Sequence, residues 1–139
     1  MVLYTMSTRI AFLVGIIGLF LVCSCATVPK EPLASGELRL LSMQVPMKGD
    51  IKVNFPFVVN INFEADGKPE IRTACFSFSG DGPYCLKVTD VNYGPSGLIK
   101  VQVRAKNAGS FALEGYVYYL RDGKVQPTNI VNSQIRVIP

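Results

Sequence analysis

The 139-residue sequence contains no histidine and no tryptophan. The absence of histidine excludes Ser-His-Asp and Cys-His catalytic arrangements and histidine-ligated zinc, because imidazole is the base or the ligand in each. It also removes the side chain that most readily exchanges protons near neutral pH. Any general acid–base chemistry in this chain therefore depends on carboxylates.

Familiar phosphate-binding and metal-binding motifs are also missing. The sequence contains no Gly-rich phosphate loop of the P-loop or dinucleotide type. Asp81, which lies between Gly80 and Gly82, lacks the alternating Asp/Asn ligands of an EF-hand calcium loop. Basic residues are scattered along the chain and do not interleave with aromatic residues in any one segment. We therefore expect no metal ion, no organic cofactor and no nucleic-acid partner.

One apolar run opens the chain and is too short for a permanent transmembrane helix. It extends over thirteen residues from Ile10 to Val22, contains no charge and follows Arg9. As a helix it spans about 20 Å, whereas the hydrocarbon core of a bilayer is about 30 Å thick. This length is typical of the hydrophobic region of a signal peptide. Met6 provides a tighter N-terminal region than Met1, and either can be the true start.

The four residues Val22-Cys23-Ser24-Cys25 close this run and resemble the lipobox of bacterial lipoproteins. In that family an aliphatic residue, a small residue and Gly, Ala or Ser precede the cysteine that is diacylglycerylated. The resemblance implies cleavage before Cys25 and membrane anchoring through its acylated side chain, with the protein facing the periplasm or the exterior. Ala26 favours the outer membrane if the source has two membranes. Cys23 departs from the usual Ala, Ser, Thr or Val, and a plain signal peptide or an uncleaved anchor are the alternatives.

We divide the chain into a signal peptide at 1–24, a flexible tether at 25–36 and one domain at 37–139. The tether contains two prolines and ends in Ala-Ser-Gly, with no periodicity and few apolar side chains to bury. The remaining residues are enough for one domain of about 100 residues.

Cys75 and Cys85 are the cysteines that remain in the domain. The segment between them is rich in turn-forming residues around Gly80. A hairpin there, with strands from Glu70 to Phe78 and from Tyr84 to Asn92, places Cys75 opposite Cys85 and Phe76 opposite Tyr84. Opposed side chains of an antiparallel pair are close enough for a disulfide, which an exported chain can keep. A redox or metal-binding pair is the alternative, although the spacing is not that of a CxxC motif and no further soft ligands are present.

Apolar residues alternate with polar residues from Glu37 onward, as expected for β-strands. The clearest case occupies the odd positions from Ile51 to Phe63. Pro56 divides this run into an edge segment ending near Phe55 and a core strand starting near Phe57. With Gly or Pro recurring about every ten residues and no helical period, we predict an all-β fold, a single antiparallel β-sandwich of about seven to eight strands. A small β-barrel is the alternative.

The domain, from about Glu37 to Ile138, is similar to immunoglobulin-like and fibronectin-III-like domains, and its C-terminal pattern carries the resemblance. It contains an aromatic-rich strand from Ser110 to Leu120, an Asp-Gly turn, an Asn-rich stretch and a short closing strand at Gln134–Ile138. This resemblance implies an immunoglobulin-like sandwich. The chain departs from antibody domains in having no tryptophan, and its two cysteines are too close in sequence for a bridge between sheets.

We expect a non-catalytic binding or scaffolding module for another component of the cell envelope, in which Tyr116 and Tyr118 form a partner-binding face. These two side chains point away from the row of core residues in the same strand, and tyrosine is favoured at interfaces. The Ile51–Phe55 segment is a candidate for strand addition. The alternatives are a hydrolase that uses the carboxylates Glu64, Glu70 and Asp81, or a structural envelope protein without a specific ligand.

Overall fold

A computed structural model describes residues 30–46 and 50–139 of the chain. Within these ranges all regular structure is β-strand, and no helix there could cross a membrane. The predicted signal peptide, Cys23 and Cys25 lie outside the described residues. One compact unit extends from Leu33 to Pro139. Its strands are β1 (Leu38–Gln44), β2 (Ile51–Lys52), β3 (Pro56–Ala65), β4 (Ile71–Phe78), β5 (Asp81–Lys87), β6 (Asp90–Asn92), β7 (Gly97–Arg104), β8 (Gly109–Arg121), β9 (Lys124–Pro127) and β10 (Val131–Ile138).

The strands form two sheets, and the predicted β-sandwich class is confirmed. Sheet A has the strand order β1-β3-β7-β6, and sheet B has the order β2-β10-β8-β4-β5, with β9 also paired to β8. All pairs are antiparallel except β2 with β10. The described residues form ten strands. The run that Pro56 was expected to divide gives β2 and β3, and the strand predicted from Tyr84 to Asn92 is divided into β5 and β6.

The core lies between the two sheets and follows the predicted alternation. In β3 every second residue from Phe57 to Phe63 is almost completely buried. The facing side chains of sheet B come mainly from β4 and β8, where Phe76, Leu113 and Val117 have no solvent exposure. Burial of a side chain of this size stabilises the fold by about 1.5–3 kcal/mol relative to its exposed state. This alternation in both sheets fixes which face of each strand points inward.

Pro56 is tolerated at the start of β3 because of the direction in which its backbone nitrogen points. It pairs with Arg104 of β7, while the next residue, Phe57, pairs with Val103. Neighbouring residues of an antiparallel strand alternate between hydrogen-bonded and non-hydrogen-bonded pairs. A non-hydrogen-bonded pair at Pro56 leaves its nitrogen facing the β1 side, where the pairing with β1 begins only at Asn60. No ladder hydrogen bond is therefore lost.

The chain changes sheets between β5 and β6. Lys87 still pairs with Thr73 of β4, and the Val88 amide donates to the Arg72 carbonyl at 3.2 Å. Asp90, two residues after Val88, pairs with Lys100 of β7 in sheet A. The strand predicted at Tyr84–Asn92 is thus divided between sheets, because alternation reveals which side chains share a face but not which sheet the backbone joins.

The start of the compact unit is fixed by polar contacts. The Gly36 amide donates to Asp66 Oδ2 at 2.9 Å, and Arg121 Nε donates to the Ser35 carbonyl at 2.9 Å. The Ala34 amide donates to the carboxylate of Glu37 at 2.7 Å, and this bond lowers the pKa of Glu37. The last residues of the segment predicted as a tether therefore form a turn that is bound to the domain.

Candidate functional site

The hairpin formed by β4 and β5 contains a disulfide between Cys75 and Cys85, with an S–S distance of 2.06 Å. The two residues pair directly, and Phe76 pairs with Tyr84, as the sequence predicts. Cys75 also pairs with Tyr116 on its other side. Cys75 is completely buried while Cys85 is exposed. The disulfide therefore links the exposed edge strand β5 to β4, an inner strand of sheet B.

Strand β5 bears inward-facing side chains that the opposite sheet does not cover. Tyr84 and Leu86 pair with the fully buried Phe76 and Ala74, and therefore point to the same side of the sheet as the core. Nevertheless, they are 37% and 36% exposed. The opening beside them is a groove of about 310 Å³ between β5, the end of β7 and the start of β8. We call it the β5–β7 groove; its apolar lining comprises Phe76, Phe78, Tyr84, Leu86, Val103 and Phe111.

Aromatic contacts hold one end of this groove. The Phe78 ring meets the Phe111 ring edge to face, with 6.0 Å between the ring centres. On its other side Phe78 approaches the Tyr84 ring at 6.4 Å. Edge-to-face aromatic pairs contribute about 0.5–1.5 kcal/mol beyond the burial of their area. The lining at this end is therefore ordered before any ligand arrives.

The rim of the groove carries more positive than negative charge. Arg104 and Lys106 both line it, and Lys106 Nζ lies 4.8 Å from the centre of the Tyr84 ring. Asp81 is the lining carboxylate, and both of its oxygens lie within 3.0 Å of the Tyr84 hydroxyl. The hydrogen bond to this carboxylate raises the pKa of Tyr84. Two cations beside one engaged carboxylate favour an anionic group at the rim.

Tyr116 and Tyr118 lie on the outer face of sheet B, as the sequence predicts. Their rings are 5.5 Å apart in an edge-to-face arrangement, and both side chains are half-buried. The hydrogen bond with Tyr118 raises the pKa of Tyr116. Neither side chain lines the β5–β7 groove. The structure thus offers two separate surfaces, one of which the sequence predicts as a partner-binding face.

The three candidate carboxylates occupy different environments. Glu64 forms an ion pair with Arg39 at 3.4 Å, and Glu70 forms one with Arg72 at 3.1 Å. Asp81 is engaged with Tyr84 in the groove, whereas Glu64 lines a separate small cleft. Each carboxylate thus has its own polar partner. Across residues 30–46 and 50–139, no three His, Cys, Asp or Glu side chains are grouped as the ligands of a metal ion are.

The Ile51–Phe55 segment offers little backbone for strand addition. Only Ile51 and Lys52 form a strand, and the amides of the next three residues already donate hydrogen bonds within the domain. Their acceptors are the carbonyls of Ile138, Ala105 and Lys52. A sheet edge with unpaired backbone lies instead beside the β5–β7 groove, at residues 101–104 of β7.

The β5–β7 groove is not apparent from the sequence. Its walls come from three strands that are far apart in the sequence, and their meeting depends on the change of sheets after β5. The one indication of it in the sequence is that Tyr84 and Leu86 lie on the face of their strand that carries core residues in the neighbouring strand of the hairpin.

The comparisons with known proteins add no relative. No protein-family model matches the chain, and no curated protein is similar to it. A function is therefore inferred from the chemistry of the chain and the geometry of the groove.

Proposed function

We propose that this chain is a lipid-anchored, non-catalytic binding module of a bacterial cell envelope, which holds a partner protein in the β5–β7 groove. The Cys75–Cys85 disulfide supports an oxidising, extracytoplasmic compartment, since such bonds are rare in the cytosol. The lipobox resemblance supports an anchor at Cys25. Two acyl chains on that residue give stable attachment, whereas one gives only marginal binding.

The observation that carries the proposal is the exposed apolar lining of the groove. Tyr84 and Leu86 face the core side of sheet B without cover, beside aromatic rings that are already ordered. Concave apolar surfaces with a few polar groups at the rim are the usual form of binding sites. Tyrosine and arginine, both present here, often dominate the energy of protein interfaces.

The anchor can be tested by the intact mass of the protein purified from membranes. Cleavage before Cys25 and a diacylglyceryl adduct are expected, together with a gain of about two daltons on reduction of the disulfide. The Cys25→Ser variant should lose the adduct and leave the membrane fraction. An uncleaved chain, or a cleaved chain without lipid, would contradict the proposed anchor.

The binding site can be tested by placing a photo-crosslinking amino acid at Leu86 in cells, with Val125, an exposed residue outside the groove, as the control position. One discrete adduct is expected from position 86 and none from position 125. A Tyr84→Ala change should abolish the adduct, whereas Tyr116→Ala together with Tyr118→Ala should preserve it. Loss of the adduct in the Tyr116→Ala, Tyr118→Ala variant and its retention in Tyr84→Ala would instead place the binding site on the outer face of sheet B.

A further inference from the structure

The edge of sheet A beside the groove lacks a strand over half the length of β7. Strand β6 pairs only with Leu98, Ile99 and Lys100. On its other side β7 pairs with β3 along its full length, from Gly97 to Arg104. Over the part of the chain that the structure describes, no strand pairs with residues 101–104 on the β6 side. The backbone leaves this line when it changes sheets before Asp90.

The backbone groups of Gln102 and Arg104 face this open edge. The Ala105 carbonyl accepts a hydrogen bond from the Asn54 amide at 2.8 Å, so residue 105 points toward the β3 side. Alternate residues of a strand direct their amide and carbonyl groups to the same side. Residues 101 and 103 therefore bond to β3, while residues 102 and 104 direct theirs to the groove. The position of Pro56, opposite Arg104, agrees with this alternation because proline has no amide to donate.

A strand placed at this edge would also cover the apolar lining. Sheet A faces sheet B across the core, so the inward side chains of an added strand would meet Tyr84 and Leu86, which pair with core residues in sheet B. The outward side chains would lie beside Gln102 and Arg104, and close to Lys106 on the rim. This arrangement requires alternating chemistry, with aliphatic side chains inward and acidic or polar ones outward.

Two other candidate ligands, an acyl chain and the chain's own N-terminal segment, fit the groove less well. An acyl chain would fill the apolar lining but would leave the amides of Gln102 and Arg104 without acceptors. The chain's own segment from Cys25 to Leu33 is a poor strand for this edge, because Pro29 and Pro32 have no amide to donate and its aliphatic and acidic residues do not alternate. An extended segment of another protein satisfies the backbone, the apolar lining and the charges together.

We propose that the β5–β7 groove is an open strand position of sheet A, and that the partner fills it with an extended segment of alternating aliphatic and acidic residues that pairs with Gln102 and Arg104. This inference rests on the proposed function and specifies how the partner is held. The segment continues the line of β6 in the manner of strand addition at a sheet edge.

Amide hydrogen exchange of the full-length protein tests the open edge. Without ligand, the amides of Gln102 and Arg104 should exchange rapidly, while those of Val101 and Val103 are protected by their bonds to β3. The probe is a synthetic peptide of about nine residues in which valine alternates with glutamate, long enough to form one strand. The bound peptide should slow exchange at Gln102 and Arg104 at least about tenfold. Protection confined to β5, or no protection, would overturn the proposal.

A pair of variants separates the backbone amide from the side chain. Gln102→Pro removes the amide that faces the open edge, and an edge strand tolerates proline at such a position. It should weaken peptide binding by about tenfold or more, whereas Gln102→Ala, which retains the amide, should change it less than about threefold. Equal losses in both variants would assign the interaction to the side chain and overturn strand pairing.

Modified probes keep the test valid even when the proline variant does not fold. N-methylation of alternate peptide amides, in either of the two phases, should abolish binding in one phase only. Replacing the glutamates by lysines should weaken binding, because Arg104 and Lys106 would repel them. Failure of every peptide to bind, or tight binding of dodecanoate without protection of residues 102 and 104, would refute strand addition. A crosslink at position 86 that persists in that case would leave the proposed function standing.

Discussion

The hydroxyl of Tyr84 lies 2.9 Å from Oδ1 and 3.0 Å from Oδ2 of Asp81, and both residues belong to the exposed edge strand β5. The phenol donates to a charged acceptor, and this bond raises the pKa of Tyr84 above its usual value near 10. A group with a raised pKa in the folded state stabilises the fold below its unfolded pKa, and this contribution disappears as the pH rises through the folded pKa.

The pKa of Tyr84 depends on the charge of Asp81. Asp81→Asn removes the negative charge, so the pKa of Tyr84 should fall toward its usual value. Carbon-13 NMR of tyrosine labelled at Cζ measures each ring separately, and Tyr84→Phe assigns the signal. The Tyr119 ring, which is buried in the core, serves as an internal control whose signal should not change. An unchanged titration of Tyr84 in Asp81→Asn would contradict the hydrogen bond.

The disulfide should contribute most to the stability of the edge strand. Closing a loop of this size is expected to stabilise the fold by about 3 kcal/mol, because the bond restricts the unfolded chain. Replacing Cys75 and Cys85 by alanine should therefore lower the free energy of unfolding by about 2–3 kcal/mol in urea denaturation. Reductant should produce a similar loss in the wild type and none in the double variant. A loss in the double variant as well would indicate an effect unrelated to this bond.

Gly97 has no room for a side chain. A Cβ at this position would lie 2.5 Å from Cε2 of Phe63, its cross-strand partner, and 2.6 Å from Cζ of the same ring. The Phe63 ring cannot withdraw freely, since the Tyr93 ring packs against it with 5.8 Å between centres. Gly97→Ala should therefore destabilise the domain by about 1–3 kcal/mol, measured by thermal or urea unfolding.

A second substitution shows whether this crowding is the cause. Phe63→Leu combined with Gly97→Ala should recover part of the stability lost in Gly97→Ala, because the smaller side chain leaves space for the new methyl group. Additive losses in the double variant would exclude steric overlap with Phe63 as the explanation.

Asn129 closes the side of the sandwich opposite to the groove. Its Oδ1 accepts a hydrogen bond from the Leu40 amide at 2.8 Å, and its Nδ2 donates to the Leu40 carbonyl at 2.9 Å. These bonds link the loop between β9 and β10 to the irregular part of β1, where the register shifts between Leu40 and Ser42. Asn129→Ala should destabilise the domain by about 1–3 kcal/mol, since both backbone groups of Leu40 lose their partner.

Asn129→Asp provides a matched control. The carboxylate can still accept from the Leu40 amide but cannot donate to the carbonyl, so the loss of stability should be smaller than in the alanine variant. Equal stability of Asn129→Ala and the wild type would show that water replaces the side chain at both groups.

The strands and the disulfide hairpin were predictable because they depend on short-range patterns. Alternation from Phe57 to Phe63 identifies the buried face of β3, and the turn residues around Gly80 place Cys75 opposite Cys85. The division of the Tyr84–Asn92 segment between two sheets was not predictable. It depends on which neighbours accept the backbone hydrogen bonds after Val88, and those acceptors are distant in sequence.

The candidate site was less predictable from the sequence than the strands were. The sequence identifies Tyr116 and Tyr118 as outward-facing because their orientation follows from one strand. It does not identify the β5–β7 groove, in which Leu86, Val103 and Phe111 meet only after three separate strands are assembled. A missing strand produces no pattern in the residues that surround it.

Strand β8 contacts the start of the compact unit through Arg121 at one end and lines the β5–β7 groove through Phe111 near the other, which has a mechanical consequence. An anchor at one end and a partner at the other would pull the domain along its strands rather than across them. The backbone hydrogen bonds of an antiparallel sheet lie perpendicular to the strands, so such a load acts on all bonds of a ladder together. Under the proposed function, tension between the anchor and the partner would load the ladders that β8 forms with both of its neighbours, β10 and β4.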